Sequence, residues 1–356
     1  MNDPRPASRG AFLCFLHIQN LGSGIQSSTS PKVKFPYIPL LTFLSTSDTI
    51  SLQLLFCEDC MKKTLKIFFI VLSCVLCVIV AACLLHYFSG YEIYRNVAYG
   101  EKEANVMDIY FPNGARAKDT NGCVLFIHGG SWSGGDKAEE AARCRLLASR
   151  GYLVATVNYT LWSEDTADTY HVFQVLDELD AALLKIKEFA TERGMTVDKA
   201  ATSGYSAGAH LAMLYAFSRA DTAPIEIVFA ASMAGPADIS PEVWGEDMAI
   251  RVARRLTGEE ITPEMLRSGE ADALLDSVSP VSFIDENTPP TIVMQGRKDP
   301  TVPPANADSL IERFDANRVP YDYIPLKNSD HSLLQNPLQH IKFCKTLLTY
   351  CKTYFE

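Results

Sequence analysis

The sequence places Ser206 between two glycines, Gly204 and Gly208, where a short apolar run ends and a helical pattern begins. A sharp turn from a strand into a helix holds its central serine in a strained backbone conformation, and the flanking glycines leave room for the close approach this requires. Ser206 is therefore a candidate nucleophile. The alternative is an ordinary strand-to-helix turn in which Ser206 only caps the helix.

A serine hydroxyl needs a neighbouring base to act as a nucleophile at neutral pH, and the chain has seven histidines. His331 lies in a polar loop between the last predicted strand and the last predicted helix, where an imidazole can accept and return a proton. His210 lies one helical turn after Ser206 and is interpreted as structural. His128 precedes two glycines and is interpreted as a support for their loop.

A carboxylate is expected to orient the imidazole, and Asp299 follows a predicted strand at residues 291–295. The chain order serine, aspartate, histidine is that of one known arrangement of such triads. Asp238 and Asp330 are the competing carboxylates, and both remain open at this point.

The last requirement is a pair of N–H donors for a developing oxyanion. Gly129 and Gly130 follow a predicted central strand, and glycines let backbone N–H groups approach a substrate closely. We expect the donors at one of these glycines and at Ala207, the first residue of the helix after the serine. Trp132 and Tyr205 are the candidates for contact with substrate.

Short apolar runs alternate with helical patterns through the rest of the chain. The predicted strands are residues 106–111, 124–127, 153–158, 201–203, 227–233, 291–295 and 321–324. The predicted helices are residues 137–149, 172–190, 207–217, 305–314 and 338–354. This alternation predicts an α/β fold with a mostly parallel central sheet and helices on both faces. A charged stretch at about residues 236–280, with an amphipathic helix at 248–256, is predicted to form a small inserted cap.

The segments around these candidates carry a recognisable pattern, at residues 108–112, 128–137, 157–159, 204–212, 279–280, 289–290 and 296–303. The pattern resembles the hormone-sensitive-lipase-like branch of the α/β-hydrolases, and within it bacterial carboxylesterases of the feruloyl-esterase-like kind, over about residues 94–352. The resemblance implies hydrolysis of small esters through an acyl-enzyme, a triad of Ser206, Asp299 and His331, and no metal or organic cofactor. The sequence departs from the pattern at Ser131 and Ala209, where many relatives have glycine.

The cap stretch and two tryptophans bear on the class of substrate. The cap stretch has no long apolar face, so a soluble ester is expected rather than a triglyceride. Trp132 and Trp162 are candidates to stack on a sugar or aromatic ring, which suggests acetyl or feruloyl esters of glycans. The alternatives are an exopeptidase or amidase on the same scaffold and a non-catalytic binding protein. The sequence does not indicate the oligomeric state.

Residues 67–88 contain no charged side chain over 22 positions and follow three lysines, Lys62, Lys63 and Lys66. This length and apolarity are typical of a membrane-spanning or signal segment. Because the lysines precede it, we expect the part of the chain after residue 90 to face away from the cytoplasm, in the cell envelope.

Three alternatives stay open for this segment: an uncleaved signal anchor, a cleaved signal peptide, and lipidation at Cys83, since residues 80–83 resemble a lipoprotein cleavage site. Met61 begins the basic-then-apolar pattern and is a candidate for the true start. The expected domains are an unstructured extension or wrongly assigned start at 1–60, the signal segment at 61–90 and the catalytic domain at 91–356.

The charge of the chain excludes one class of partner. It carries 32 Lys and Arg against 42 Asp and Glu, a net charge of −10, and residues 91–356 alone are at −13. Such an acidic domain repels phosphate backbones, so nucleic acid is not an expected partner.

Overall fold

The computed structural model describes residues 58–87, 90–114, 117, 120–167 and 169–356. The prediction of an extension or wrong start before Met61 falls almost entirely on residues 1–57, outside the described part of the chain. The chain divides into two compact units, Met1–Val71 and Leu72–Glu356, and the division falls within the first helix. The domain limits expected at residues 60 and 90 remain predictions.

The first helix, α1, spans Glu58–Tyr87. Its segment Lys62–Ala82 has a mean hydropathy of 2.8, and none of that segment is buried. Within the described residues this is the one helix long and apolar enough to cross a membrane, and a signal sequence has the same properties.

An eight-stranded sheet forms the centre of the second unit, in the order β1-β2-β4-β3-β5-β6-β7-β8. Its strands are β1 Tyr91–Ala98, β2 Val106–Pro112, β3 Gly122–Ile127, β4 Leu153–Val157, β5 Lys199–Tyr205, β6 Glu226–Met233, β7 Thr291–Gly296 and β8 Tyr321–Leu326. The pairs β1·β2 and β2·β4 are antiparallel, and the other five pairs are parallel. The mostly parallel sheet is therefore confirmed.

The helices of this unit are α2 Ala141–Ala148, α3 Val172–Thr191, α4 Ala207–Ser218, α5 Pro241–Trp244, α6 Glu246–Thr257, α7 Pro263–Ser268, α8 Asp272–Ser277, α9 Ala305–Asn317 and α10 Pro337–Phe355. Short 3-10 turns lie at Lys137–Glu140, Glu164–Thr166 and Pro280–Phe283. The first of these replaces the beginning of the helix predicted at 137–149.

The core consists of two clusters, one on each face of the sheet. Along β3, Leu125 and Ile127 belong to the cluster packed by α3, α4 and α9. Val124 and Phe126 belong to the cluster packed by α2 and α10. Since successive side chains of a strand point to opposite faces, a strand covered on both sides is a continuous apolar run. The helices on both faces are confirmed.

Four helices, α5 to α8, lie between β6 and β7, where the cap was expected. The amphipathic helix predicted at 248–256 is present as α6, whose buried residues include Ala249, Val252 and Leu256. The helix ends at Gly258, whose φ of 73° is the left-handed conformation that favours glycine at this position. The short helices α5, α7 and α8 were not predicted.

Candidate active site

Ser206 lies at the turn between β5 and α4, with φ of 55° and ψ of −123°. Its N–H donates to the carbonyl oxygen of Met233 at the end of β6, at 2.8 Å. The flanking glycines lie in close contact with other backbone: a Cβ on Gly204 would be 2.4 Å from the carbonyl carbon of Gly208. The strained serine conformation predicted for this turn is thus present.

The structure brings Ser206, His331 and Asp299 together. His331 Nε2 is 2.9 Å from Ser206 Oγ, and His331 Nδ1 is 2.7 Å from Asp299 Oδ2. The Asp299 side chain is fully buried, while 19% of the His331 side chain is exposed. The hydroxyl, imidazole and carboxylate therefore form a continuous hydrogen-bonded chain from a buried anion to the serine.

Asp299 is held by donors other than the histidine. Its Oδ1 accepts the N–H groups of Thr301 and Val302 at 2.8 and 2.9 Å, and Gln295 Nε2 donates to Oδ2 at 3.2 Å. A buried carboxylate is costly unless such partners satisfy it. These bonds fix the rotamer that meets His331.

The two competing carboxylates lie elsewhere. Asp238 accepts hydrogen bonds from the Ser240 N–H and the Ser309 hydroxyl. Asp330 caps its own loop through the N–H and hydroxyl of Ser332, and the bond from the Ser332 hydroxyl is the main cause that lowers the pKa of Asp330. Asp299 is the carboxylate in hydrogen-bond contact with His331.

His210 is fully buried and joins three segments of the chain. The indole N–H of Trp132 donates to His210 Nδ1 at 3.2 Å, and His210 Nε2 is 2.8 Å from the carbonyl oxygen of Val278. Because an indole nitrogen only donates, Nδ1 accepts and Nε2 carries the proton. Burial lowers the pKa of His210 to about 4. The imidazole is therefore neutral near pH 7, as a structural histidine.

His128 has the supporting role predicted for it. Its ring stacks on Tyr159 with centroids 4.5 Å apart, and the Tyr159 hydroxyl donates to the His128 carbonyl oxygen. Burial lowers the pKa of His128. The side chain thus packs against the glycine loop, where Nδ1 lies 2.7 Å from the Gly129 carbonyl oxygen.

The glycine loop after β3 contacts the serine turn. A Cβ on Gly129 would lie 2.8 Å from the Tyr205 carbonyl oxygen and 3.3 Å from the Cβ of Ser206. Gly130 and the next two residues have positive φ, of 113° for Gly130 and 54° for Ser131. Ala207 is the first residue of α4, a position whose N–H has no partner within the helix. The residues expected to supply oxyanion donors therefore lie in the two segments that meet at Ser206: Gly129 and Gly130 in the glycine loop, and Ala207 at the start of α4.

A cavity of about 240 Å³ opens beside the serine. Ser131, Trp132, Ser206 and Ala207 line one side of it, and Pro236, Pro300, Thr301 and Val302 contribute from the loops after β6 and β7. Trp132 lines the cavity, and its contact with substrate remains a prediction. Tyr205 does not line this cavity: its hydroxyl donates to the His331 carbonyl oxygen at 2.7 Å. Its position is that of a support for His331.

The cap helices supply the rest of the cavity wall, and sequence reasoning missed these residues. They are Trp244, Met248, Arg251, Val252 and Arg255. The sequence does contain a signal for them. Met248 and Val252 are four residues apart, as are Arg251 and Arg255, and this spacing places each pair on one face of a helix. Trp162, the other tryptophan considered for stacking on substrate, has the Arg255 guanidinium 4.2 Å from its ring centre and lines an adjoining groove.

Comparisons with known proteins show the family to which the chain belongs. Residues 107–314, more than half of the chain, match the family BD-FAE. The chain is 26% identical over 228 residues to the esterase LipQ of Mycobacterium tuberculosis, which covers 59% of this chain and 49% of LipQ. The chain thus spans about half the length of this curated relative.

Two solved structures share the fold. Esterase B from Lactobacillus rhamnosis superposes with a TM-score of 0.57 at 22% identity, over 81% of this chain and 96% of that one. A truncated carbohydrate esterase from gut microbiota has a TM-score of 0.57 at 16% identity, over 72% of this chain and 98% of that one. The chain therefore belongs to the BD-FAE family, with the fold of a feruloyl-esterase-like α/β-hydrolase.

Proposed function

We propose that this protein is a serine carboxylesterase that hydrolyses small soluble esters through an acyl-enzyme. The observation that carries the proposal is the hydrogen-bonded chain from Asp299 through His331 to Ser206, which ends at the wall of a cavity. Family membership and the curated esterase relative support the same activity.

In the proposed reaction, Ser206 Oγ attacks the ester carbonyl carbon while His331 Nε2 takes the hydroxyl proton. Asp299 keeps Nδ1 protonated and stabilises the imidazolium that forms. The oxyanion accepts hydrogen bonds from the Ala207 N–H and from the loop containing Gly129 and Gly130. The imidazolium then returns the proton to the leaving alcohol, and water, activated in the same way, releases the acid.

The cavity is small for an ester with a long acyl chain, since pockets for drug-sized ligands occupy about 300–1,000 Å³. Trp132 and Trp244 supply flat aromatic surface within it. These features favour acetyl or feruloyl esters of glycans, and one structural neighbour is a carbohydrate esterase. Acetate release from acetylated xylan checks this preference, and hydrolysis of aryl acetates alone would contradict it.

We place the protein at the cell envelope, with α1 as a membrane anchor or signal segment and the sheet domain outside the cytoplasm. The exposed apolar run Lys62–Ala82 supports this location. Intact mass of the protein isolated from cells distinguishes an uncleaved anchor from a cleaved signal peptide and from a lipidated Cys83.

A fluorophosphonate tests the proposed nucleophile without a choice of substrate, because it reacts with an activated serine. We expect one adduct on the parent protein, mapped to Ser206, and none on Ser206→Ala. Folded parent protein without an adduct would contradict the proposal and favour a binding protein. A panel of aryl esters and peptide amides then separates an esterase from the exopeptidase or amidase alternative.

A further inference from the structure

Two arginines of α6, Arg251 and Arg255, line the cavity that contains Ser206. They are four residues apart, so their side chains lie on the same helix face, one turn from each other. Like charges at this spacing repel and destabilise a helix, and the chain as a whole has a net charge of −10. The cavity wall therefore carries two adjacent positive charges, although the chain as a whole is negatively charged.

Arg255 is held in place by neutral partners. Its Nη1 donates to the carbonyl oxygen of Ser131 at 3.2 Å, and its guanidinium lies 4.2 Å from the centre of the Trp162 ring. Burial lowers its pKa, and the nearby Arg251 acts in the same direction. The residue is therefore oriented toward the glycine loop while its charge lacks a carboxylate partner within the described part of the chain.

Arg251 is exposed, and within the described residues no carboxylate lies within 4 Å of it. Other arginines of the cap do have such partners: Arg254 pairs with Glu260, and Arg267 pairs with Glu246 at 2.7 Å. Acidic residues also line the adjoining groove, namely Asp247, Glu259 and Glu260. None of them forms an ion pair with Arg251, so its five donors remain available to a ligand.

We propose that the preferred ester carries an anionic group, such as a carboxylate, which Arg251 and Arg255 bind at the wall of the active-site cavity. This inference rests on the proposed esterase function and adds the charge of its substrate. The planar guanidinium matches a carboxylate through two parallel hydrogen bonds, and a bound anion relieves the repulsion between the two arginines. The aromatic and apolar cavity residues contact the uncharged remainder of the ester.

Matched pairs of esters test the proposal, because each pair differs in charge and little else. The anion on the alcohol side is represented by para-acetoxybenzoate with its neutral amide, para-acetoxybenzamide. The anion on the acyl side is represented by monomethyl succinate with methyl butyrate, whose poor leaving group prevents attack by the substrate's own carboxylate. The pair with the larger charge preference shows which half of the ester carries the anion.

In the parent protein we expect kcat/KM for one anionic ester to exceed that of its neutral partner by about tenfold, the size of a charged hydrogen bond. Arg251→Gln is expected to remove most of this preference, because KM should rise much more for the anionic ester than for the neutral one. Arg251→Glu is expected to reverse it. Added salt should reduce the preference in the parent, because Arg251 is exposed.

Arg254→Gln is the matched control, since Arg254 lies on the same helix, is paired with Glu260 and does not line the serine cavity. It should leave the charge preference unchanged. Thermal unfolding of each variant verifies that it folds. Equal kcat/KM for charged and neutral esters in the parent, or equal losses for both in Arg251→Gln, would overturn this inference and leave the esterase proposal intact. Hydrolysis of neither ester would overturn both.

Discussion

His210 links folding stability to pH, because its imidazole is fully buried and neutral. Burial lowers its folded pKa from 6.5 to about 4, so between these values the unfolded chain binds a proton that the folded chain does not. Stability therefore falls as pH decreases from 6.5 to 4. Buried His128 acts in the same direction.

We predict that the parent protein loses about 2 kcal/mol of unfolding free energy through His210 between pH 7 and pH 5. His210→Gln should be less stable than the parent at pH 7 and less sensitive to this change of pH. Urea unfolding of both proteins at the two pH values measures the difference. An identical pH dependence in parent and variant would mean that His210 titrates normally.

The residues of the hydrogen-bonded chain at Ser206 could be identified from sequence, whereas the contact of Tyr205 with His331 could not. The motif around Ser206 implies its own backbone geometry, the polar loop before the last helix indicated His331, and the family resemblance favoured Asp299 over Asp238 and Asp330. The orientation of Tyr205 toward His331 depends on where the loop after β8 runs, which no local pattern records. Arg251 and Arg255 were missed for the same reason. Their position beside the cavity of Ser206 depends on the tertiary packing of the cap, which the local sequence does not show.

At the scale of elements, β5 and α4 meet through glycines that leave no room for a side chain. A Cβ on Gly208 would lie 2.0 Å from the carbonyl oxygen of Ile127 in β3, and backbone there cannot move without disturbing the sheet. The close approach of α4 to β3 thus depends on this glycine.

We predict that Gly208→Ala destabilises the protein by about 3 kcal/mol or prevents folding, as overpacking does in a tight core. Gly134→Ala is the matched control, because its Cβ would have only one neighbour within 4 Å, at 3.9 Å. Denaturant unfolding of the two variants measures the contrast. Equal stability in both would show that the helix and strand can separate at little cost.

Elements with strong periodicity were predicted well and weak ones were not. The buried strands and the long helices α3, α4, α9 and α10 have apolar patterns that packing on the sheet requires. The edge strand β1 was missed because its side chains are mostly exposed or half-buried, so it has no apolar run. The helices α5, α7 and α8 have six residues or fewer, too short for a period to be recognised.

At the scale of the whole molecule, the apolar α1 precedes a domain with an acidic sequence. We predict that the full chain sediments with membranes, and that a version starting at Gly90, just before β1, is soluble with unchanged kcat/KM for a neutral aryl ester. The proposed catalytic groups and both core clusters lie after that residue. Activity in the membrane and soluble fractions measures this. Loss of activity on truncation would show that α1 contributes to the folded domain.

The contact between His210 and Val278 also bears on which changes the cap of this chain can tolerate. The imidazole reaches the end of the cap through a main-chain carbonyl, so the side chain at position 278 is not needed for the bond. Substitutions in the cap can therefore reshape the cavity while the hydrogen bonds that connect the cap, α4 and Trp132 persist. A different cap joined to this chain should keep the bond to His210 where the backbone path after α8 is retained, whatever residues the cap carries.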